Sequence, residues 1–377
     1  MTSAAEIRDQ LRPHGTLALG CPQCPFFSEC GGIEWSESHF DCFAPCQRDC
    51  NGCDIVCPHS SDFYACLREI NGLRFDNLTA LSQRPVELPR YAPLIHHGYR
   101  RSGPLEWPFV AIETYQIFRK TGGRYTTIAQ TPTELRRAFA LDLNTRVILR
   151  GTARDAPLET YWSHRRRDDA PSQLAALGVD LIIGPNFSHF LDVPRTDNLF
   201  NRKRQLICLQ ELSEAGLSPV PHLSAVTSAD WRFWREYLLR NDSIVYVAAE
   251  FQTGNKNKDE GLKVVRRIAW LQDEIGRSLH PLIVGGAQFL EEVAARFRSF
   301  TLVDSRPFMN AVKRRRFAGN GSAGCWVAAP TLPGVEIDAL VAENVAGYSE
   351  WVGTRSRLSA QRRVRGGRRA KALRPAR

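Results

Sequence analysis

No apolar run in the chain is long enough to cross a bilayer. The longest, such as Ile244–Ala249, fall far short of the roughly 18 residues a span requires. The first twenty residues mix acidic and basic side chains with no apolar core, so no signal peptide is expected and the cytoplasm is the default compartment. No complete phosphate-loop or dinucleotide glycine fingerprint occurs, and no nucleophile elbow. Acidic residues are missing from the last stretch: between Trp351 and Arg377 there are ten Lys and Arg and no Asp or Glu. The 377-residue chain carries 50 Lys+Arg against 40 Asp+Glu, so its net charge of +10 belongs to that stretch and residues 1–350 are balanced. With 43% hydrophobic and 24% charged residues, the rest has ordinary globular composition.

What is abundant is cysteine. Nine of eleven lie between Cys21 and Cys66, and in a reducing compartment that density points to metal rather than disulfides. The run contains Cys21-Pro-Gln-Cys24, Cys30-Gly-Gly, Cys42, Cys46, Cys50-Asn-Gly-Cys53 and Cys57-Pro58. Thiolate sites need ligands a few residues apart on tight turns, which Gly31, Gly32, Gly52 and the prolines supply. Cys46, Cys50, Cys53 and Cys57 resemble a ferredoxin-type iron–sulfur run with one extra residue in the first gap, and Cys21, Cys24, Cys30 and Cys42 make a second group. Zinc in two four-cysteine sites, or with His39 or His59 substituting, fits the same knuckles. Cys66 is left spare, Cys208 reads as a core residue, and Cys325 receives no role.

The organisation follows: a lead (1–20), a cysteine-rich metal module (21–70), a polar connector (71–90), an α/β domain (91–320), and a Gly/Ala/Arg-rich basic tail (321–377) expected to lack fixed structure. Candidate strands are Tyr91–Ile95, Phe109–Glu113, Arg146–Arg150, Asp180–Ile183, Pro219–His222, Ile244–Ala248, Pro281–Gly285 and Phe300–Val303. Amphipathic helical stretches separate most of them, which implies parallel strands with crossover helices. Eight strands make a (β/α)8-type barrel the leading architecture, with an open doubly wound sheet as the alternative. The link from Ile95 to Phe109 is too short for a crossover helix, so an irregular or antiparallel entry is expected there.

Ligands of parallel α/β folds bind at the carboxyl ends of the strands. The residues just past the candidate strands are Glu113; Arg150, Thr152 and Arg154; Asn186 and Ser188; His222; Glu250 and Gln252; Gly285-Gly286; and Asp304 with Arg306. Glu250 and Asp304 are the leading acid–base or nucleophile candidates, with the alternative that Glu250 simply pairs with Lys256, Lys258 or Arg150. Asn186 and Asp192, in the irregular stretch 184–194, complete the catalytic candidates. Gly285-Gly286 is read as room for a phosphate or another backbone.

Residues 178–306 resemble an uncharacterised bacterial and phage domain-of-unknown-function family. The resemblance rests on Pro185-Asn186-Phe187-Ser188, Phe190, Asp192-Val193-Pro194, Asn201, Arg204, Gly216 and Val220-Pro221. Asn186 stands where an Asp is usual. The resemblance implies phage or mobile-element cargo and no particular activity. By architecture alone, a barrel joined to a cysteine module is similar to tRNA-guanine transglycosylases, which exchange a base at a glycosidic bond, although their zinc and nucleophile motifs are absent. Basic clusters at Arg165–Arg167, at Arg202, Lys203 and Arg204, and at 313–316 including Arg314 and Arg315, together with Arg362, Arg363, Arg368 and Arg369 of the tail, are candidate phosphate contacts. Three readings stand: an enzyme acting on nucleic acid or nucleobases, a non-catalytic nucleic-acid-binding accessory protein, and an iron–sulfur redox protein.

Overall fold

The computed structural model describes residues 17, 20–34, 42, 49–50, 52–99, 101–319, 324–332 and 334–372, with side chains as far as Leu358. The strands are β1 (Tyr91–Ile95), β2 (Phe109–Glu113), β3 (Phe118–Thr121), β4 (Arg124–Thr127), β5 (Arg146–Arg150), β6 (Leu181–Ile183), β7 (Pro219–Val220), β8 (Tyr246–Glu250), β9 (His280–Val284), β10 (Thr301–Asp304), β11 (Arg315–Ala318) and β12 (Cys325–Ala328). The helices are α1 (Phe27–Cys30), α2 (Phe63–Glu69), α3 (Pro132–Ala138), α4 (Asp155–His164), α5 (Ala170–Ala175), α6 (Arg195–Glu214), α7 (Ser228–Arg240), α8 (Lys258–Glu274), α9 (Leu290–Arg296), α10 (Arg306–Val312) and α11 (Asp338–Ala372).

Eight strands form one all-parallel sheet in the order β7-β6-β5-β2-β1-β10-β9-β8. A parallel bridge between His222 and Ala248 joins its two ends, so the wall is a (β/α)8-type barrel, not an open sheet. Each candidate strand falls within about two residues of an observed one. The entry is regular: β1 and β2 pair in parallel, Leu94 opposite Ala111, without a crossover helix between them.

Side chains alternate across a strand, which sorts each barrel residue to one side of the wall. Ala92, Leu94, Phe109, Ala111, Ile148, Leu181, Ile183, Val220, Tyr246, Ala248, Leu282, Val284 and Val303 fill the lumen as a separate apolar cluster. Their neighbours, such as Tyr91, Ile112, Leu149, Val247, Ile283 and Leu302, pack outward beneath the helices.

Two segments play larger parts than the sequence suggests. The connector closes the amino end of the barrel, where Val86 and Leu88 pack against the lumen cluster. Gln83 bridges the β7–β8 seam there: its Nε2 donates to the Pro219 and Tyr246 carbonyls (3.0 and 2.9 Å), and its Oε1 accepts from the Val245 and Tyr246 amides (2.9 and 2.8 Å). The expected structureless tail from 321 is corrected as well. It contributes β12, which pairs with the preceding β11 as a hairpin, and continues as α11, in which Leu340, Val341, Val345, Tyr348 and Val352 are buried. From Val341 to Val352 the spacing of three and four residues is a helical apolar stripe, so the folded domain extends well past residue 320.

Candidate active site

The upper end of the lumen, at the carboxyl ends of the strands, is where the inward face turns polar. The alternation that points Leu94, Ala111, Ile148, Val220 and Ala248 inward continues to His96, Glu113, Arg150, His222 and Glu250. Glu113 and Arg150 are register partners on β2 and β5, with the Arg150 guanidinium 3.2 Å from Glu113 Oε1. His96 Nδ1 is 4.0 Å from the other Glu113 oxygen, which also accepts from Gln116 Nε2 at 2.9 Å. Arg150 further donates to Gln252 Oε1 at 3.1 Å, linking β5 to the loop after β8. Its Nε is buried without an acceptor.

Glu250 is only 8% exposed. Its carboxylate accepts from the Gln252 amide and from Thr253 Oγ1 (2.9 Å), both in its own loop, and among the described residues it pairs with no cation. The expected alternative, an ion pair with Lys256, Lys258 or Arg150, is therefore not formed. His222 Nδ1 meets Ser224 Oγ at 2.9 Å, while its Nε2 is buried with no partner. Burial pushes the His222 imidazole down to about 4, so it is neutral at pH 7.

The other catalytic candidates lie elsewhere. Asp304 follows outward-facing Leu302 and points into the helix layer. It accepts from the Arg306 amide (2.9 Å) and Nε (2.7 Å) and from the Tyr348 hydroxyl of α11 (2.9 Å). It is a buried structural carboxylate, which corrects its expected place beside Glu250. Asn186 Oδ1 accepts from the Ala153 amide at 2.8 Å and pins one strand-end loop to the next. Asp192 is exposed on the β6–α6 loop. Gly285 and Gly286 are filled by protein: a Cβ on Gly285 would lie 2.5 Å from Gln252 Cγ, and one on Gly286 would lie 2.9 Å from Phe251 Cγ. The glycine pair seats the β8 loop over the mouth.

Sequence reading missed His96, which lies one residue past the expected end of β1. Extending the alternation of Ala92 and Leu94 by two residues finds it. Glu113, Arg150 and His222 were visible as strand-end residues, but nothing distinguished them from the outward-facing Asp304 until each strand's phase was known.

Of the basic clusters, the one on α6 is corrected in the same way. Arg202, Lys203 and Arg204 are buried in α6 rather than displayed. Arg202 pairs with Asp230 at 2.5 Å, Arg204 with Glu159 at 2.6 Å, and Lys203 donates to the Arg74 carbonyl and Asn77. A polar helix is buried here because the cysteine module and connector lie across it. Thr196 Oγ1 donates to the Val56 carbonyl (2.7 Å), and Asp197 accepts from the Val56 amide (2.9 Å). Arg165 and Arg166 share Glu211, and Arg167 holds Asp168 at 2.7 Å. Arg314 donates to the Val335 and Glu336 carbonyls, and the exposed Arg315 donates to the Trp326 carbonyl. Arg362, Arg363, Arg368 and Arg369 fall on α11 by backbone, and their side chains lie outside the described residues.

The residues that carry the family resemblance have structural roles. Asn201 Nδ2 donates to the Ser188 carbonyl at 2.8 Å, and the Arg204 guanidinium stacks over Phe187 at 4.2 Å. Both hold the β6–α6 loop against α6.

In the cysteine module, Cys21 and Cys30 are buried, Cys24, Cys42, Cys53, Cys57 and Cys66 are partly buried, and Cys50 is exposed. Cys46 lies outside the described residues. Among the described residues no three His, Cys, Asp or Glu side chains already form a metal cage. The module sits at the rim of the mouth, with α1 packed on α6 and Gly31 against Ala229 at the start of α7.

Fold and site together define a (β/α)8-type barrel with a polar, partly unsatisfied layer at its carboxyl mouth. No protein-family model matches the chain, and comparison with curated proteins finds no match either. Among the described residues no helix is long and apolar enough to cross a membrane.

Proposed function

We propose that the chain is an enzyme whose active site is the barrel mouth and whose substrate presents a nucleobase or a closely similar N–H-rich heterocycle. The observation that carries this reading is Glu250, a buried carboxylate held by its own loop and paired with no cation among the described residues. A carboxylate has about four lone-pair directions, and two local donors leave capacity for a ligand. Leaving a buried charge uncompensated is costly, so a bound group that brings N–H donors recovers free energy there. Arg150 and Gln252 offer donors and an acceptor for the opposite edge of a planar ring. Neutral His222 adds a nitrogen that can give or take a proton.

In this reading Glu250 touches the substrate, Arg150 supports negative charge, and Glu113 positions Arg150. The chemistry is base exchange or cleavage at a glycosidic bond. The cysteine module is a metal-bearing unit at the rim, zinc or iron–sulfur. The acid-free segment after Trp351 makes phosphate contacts when the base arrives within a polynucleotide. Phage or mobile-element cargo fits such a role.

The test is a thermal-shift screen of the full chain against free purines, pyrimidines, their nucleosides and plain sugars at millimolar concentration. A base or nucleoside should raise the melting temperature of the wild type and leave Glu250→Gln unmoved. No response to any base or nucleoside, or an equal response in Glu250→Gln, overturns the reading.

A further inference from the structure

We propose that Cys21, Cys30 and Cys42, with Cys24 beside them, bind a metal as thiolates, and that Arg195 of the barrel is the cation against which this negatively charged centre is seated. The inference rests on the metal reading of the module and its grouping of these cysteines, and adds the centre's sign of charge and its partner in the barrel.

A charge imbalance marks the junction between module and barrel. Arg195 and Arg202 both pair with Asp230, and the three are 4%, 1% and 0% exposed. Among the described residues, two guanidinium groups therefore share one carboxylate out of reach of water. Asp230 is further occupied by the Val226 and Thr227 amides, each at 2.9 Å. Among the described residues the Nε atoms of Arg195 and Arg202 both lack an acceptor, and both are buried. Nearby His189 carries no compensating charge, because burial, aided by Arg202, pushes its imidazole down to about 3. A surplus positive charge this deep calls for an anion beside it.

The sulfurs are what lies beside it. Cys30 ends α1, and its sulfur is within hydrogen-bonding reach of the Arg195 side chain. Cys42 also lies beside Arg195: burial pushes its thiol up to about 11, and the Arg195 backbone amide pulls the other way. Gly31 and Gly32 both take positive φ (72° and 79°), which folds the chain after Cys30 back toward Cys21. A Cβ on Gly32 would lie 3.5 Å from Cys21 Cβ and 2.8 Å from Leu17. Neutral thiols would leave the guanidinium unbalanced. A dication on three thiolates is a net monoanion and on four a net dianion, and each ligating thiol releases its proton to solvent. A four-cysteine iron–sulfur cluster is anionic too, so both metals share this chemistry. Among the described residues these cysteines do not form a finished cage, and metal binding would draw the sulfurs together.

The experiment uses the full chain, purified anaerobically. Zinc, iron and acid-labile sulfide are counted per chain, and release to a chelator is timed. Wild type should hold metal; sulfide with iron identifies a cluster, and zinc alone identifies a mononuclear site. Cys30→Ser and Cys21→Ser should each lose one centre. Arg195→Met should bind the same amount and release one centre roughly 10- to 100-fold faster, the range for loss of an outer-shell partner. Arg195→Lys, which keeps the charge, should restore most of the retention and serves if Arg195→Met does not fold. A metal-free wild type overturns both the metal reading and this inference. Full metal in both serine variants overturns the ligand group, and wild-type release from Arg195→Met overturns the role of Arg195 alone.

Discussion

Glu250 and Asp304 stand at the carboxyl ends of β8 and β10 and face opposite sides of the barrel wall. Glu250 continues the inward row of Tyr246 and Ala248, whereas Asp304 continues the outward position of Leu302 and meets Tyr348 of α11 at 2.9 Å. One is available to a ligand in the lumen and the other joins the last helix to the wall.

Replacing Asp304 should therefore alter stability and not binding. Asp304→Asn weakens its contacts with Arg306 and Tyr348. Because the Arg306 side chain is 45% exposed, the expected loss is about 2 kcal/mol, below the range for fully buried pairs. Urea denaturation should show a lower midpoint with unchanged slope, and ligand affinity at the mouth should stay at the wild-type value.

Acid should loosen the barrel through its histidines. Burial holds His222 and His280 at about 4, against about 6.5 in the unfolded chain. Between those values the unfolded state binds more protons, so the stability present above pH 6.5 is lost as pH falls toward 4. Each ring contributes up to roughly 3 kcal/mol. Asp197 runs the other way: burial raises it to about 6, so its share of stability falls as pH rises from about 4 to 6. These two histidines, with His189 (held at about 3) acting in the same direction, outweigh one aspartate, and denaturation midpoints should drop from pH 7 to pH 4.5. His222→Gln should flatten that slope; an unchanged slope would remove His222 from the explanation.

Truncation should locate the end of the fold. A chain ending at residue 358 keeps Val341, Val345, Tyr348 and Val352 in place and should melt cooperatively. A chain ending at 320 exposes the surface they cover, at roughly 1.5–3 kcal/mol per large apolar side chain, and should be unfolded or aggregated. Circular dichroism melts of the two chains decide this.

Gly151→Ala should destabilise by about 2–3 kcal/mol, because its Cβ would lie 2.2 Å from the Ile183 carbonyl oxygen. That oxygen accepts the Gly151 amide at 2.9 Å, so neither backbone can withdraw without breaking the β5–β6 junction. A melting temperature equal to wild type would contradict the tight approach.

The barrel was legible because parallel strands buried on both faces are short apolar runs between turn residues, and all eight read that way. The same property hid the site. When both faces of a strand are apolar, composition does not show which side of the wall Glu113 or Asp304 joins, and only sheet register sets the phase. The burial of Arg202, Lys203 and Arg204 was hidden for a different reason: the first half of α6 is mostly polar, and only the module and connector folding over it make its charges internal. The stripe of Val341, Val345, Tyr348 and Val352 was readable but was masked by the basic residues that follow it.

The most direct test is a calorimetric titration of the base or nucleoside that gives the largest thermal shift, into wild type, Glu250→Gln and Asp304→Asn in parallel. Saturable one-site binding by wild type and Asp304→Asn, with at least a roughly tenfold loss (about 1.4 kcal/mol) in Glu250→Gln, is the predicted result. Equal affinity in wild type and Glu250→Gln, or loss in Asp304→Asn alone, would place the site outside the barrel mouth.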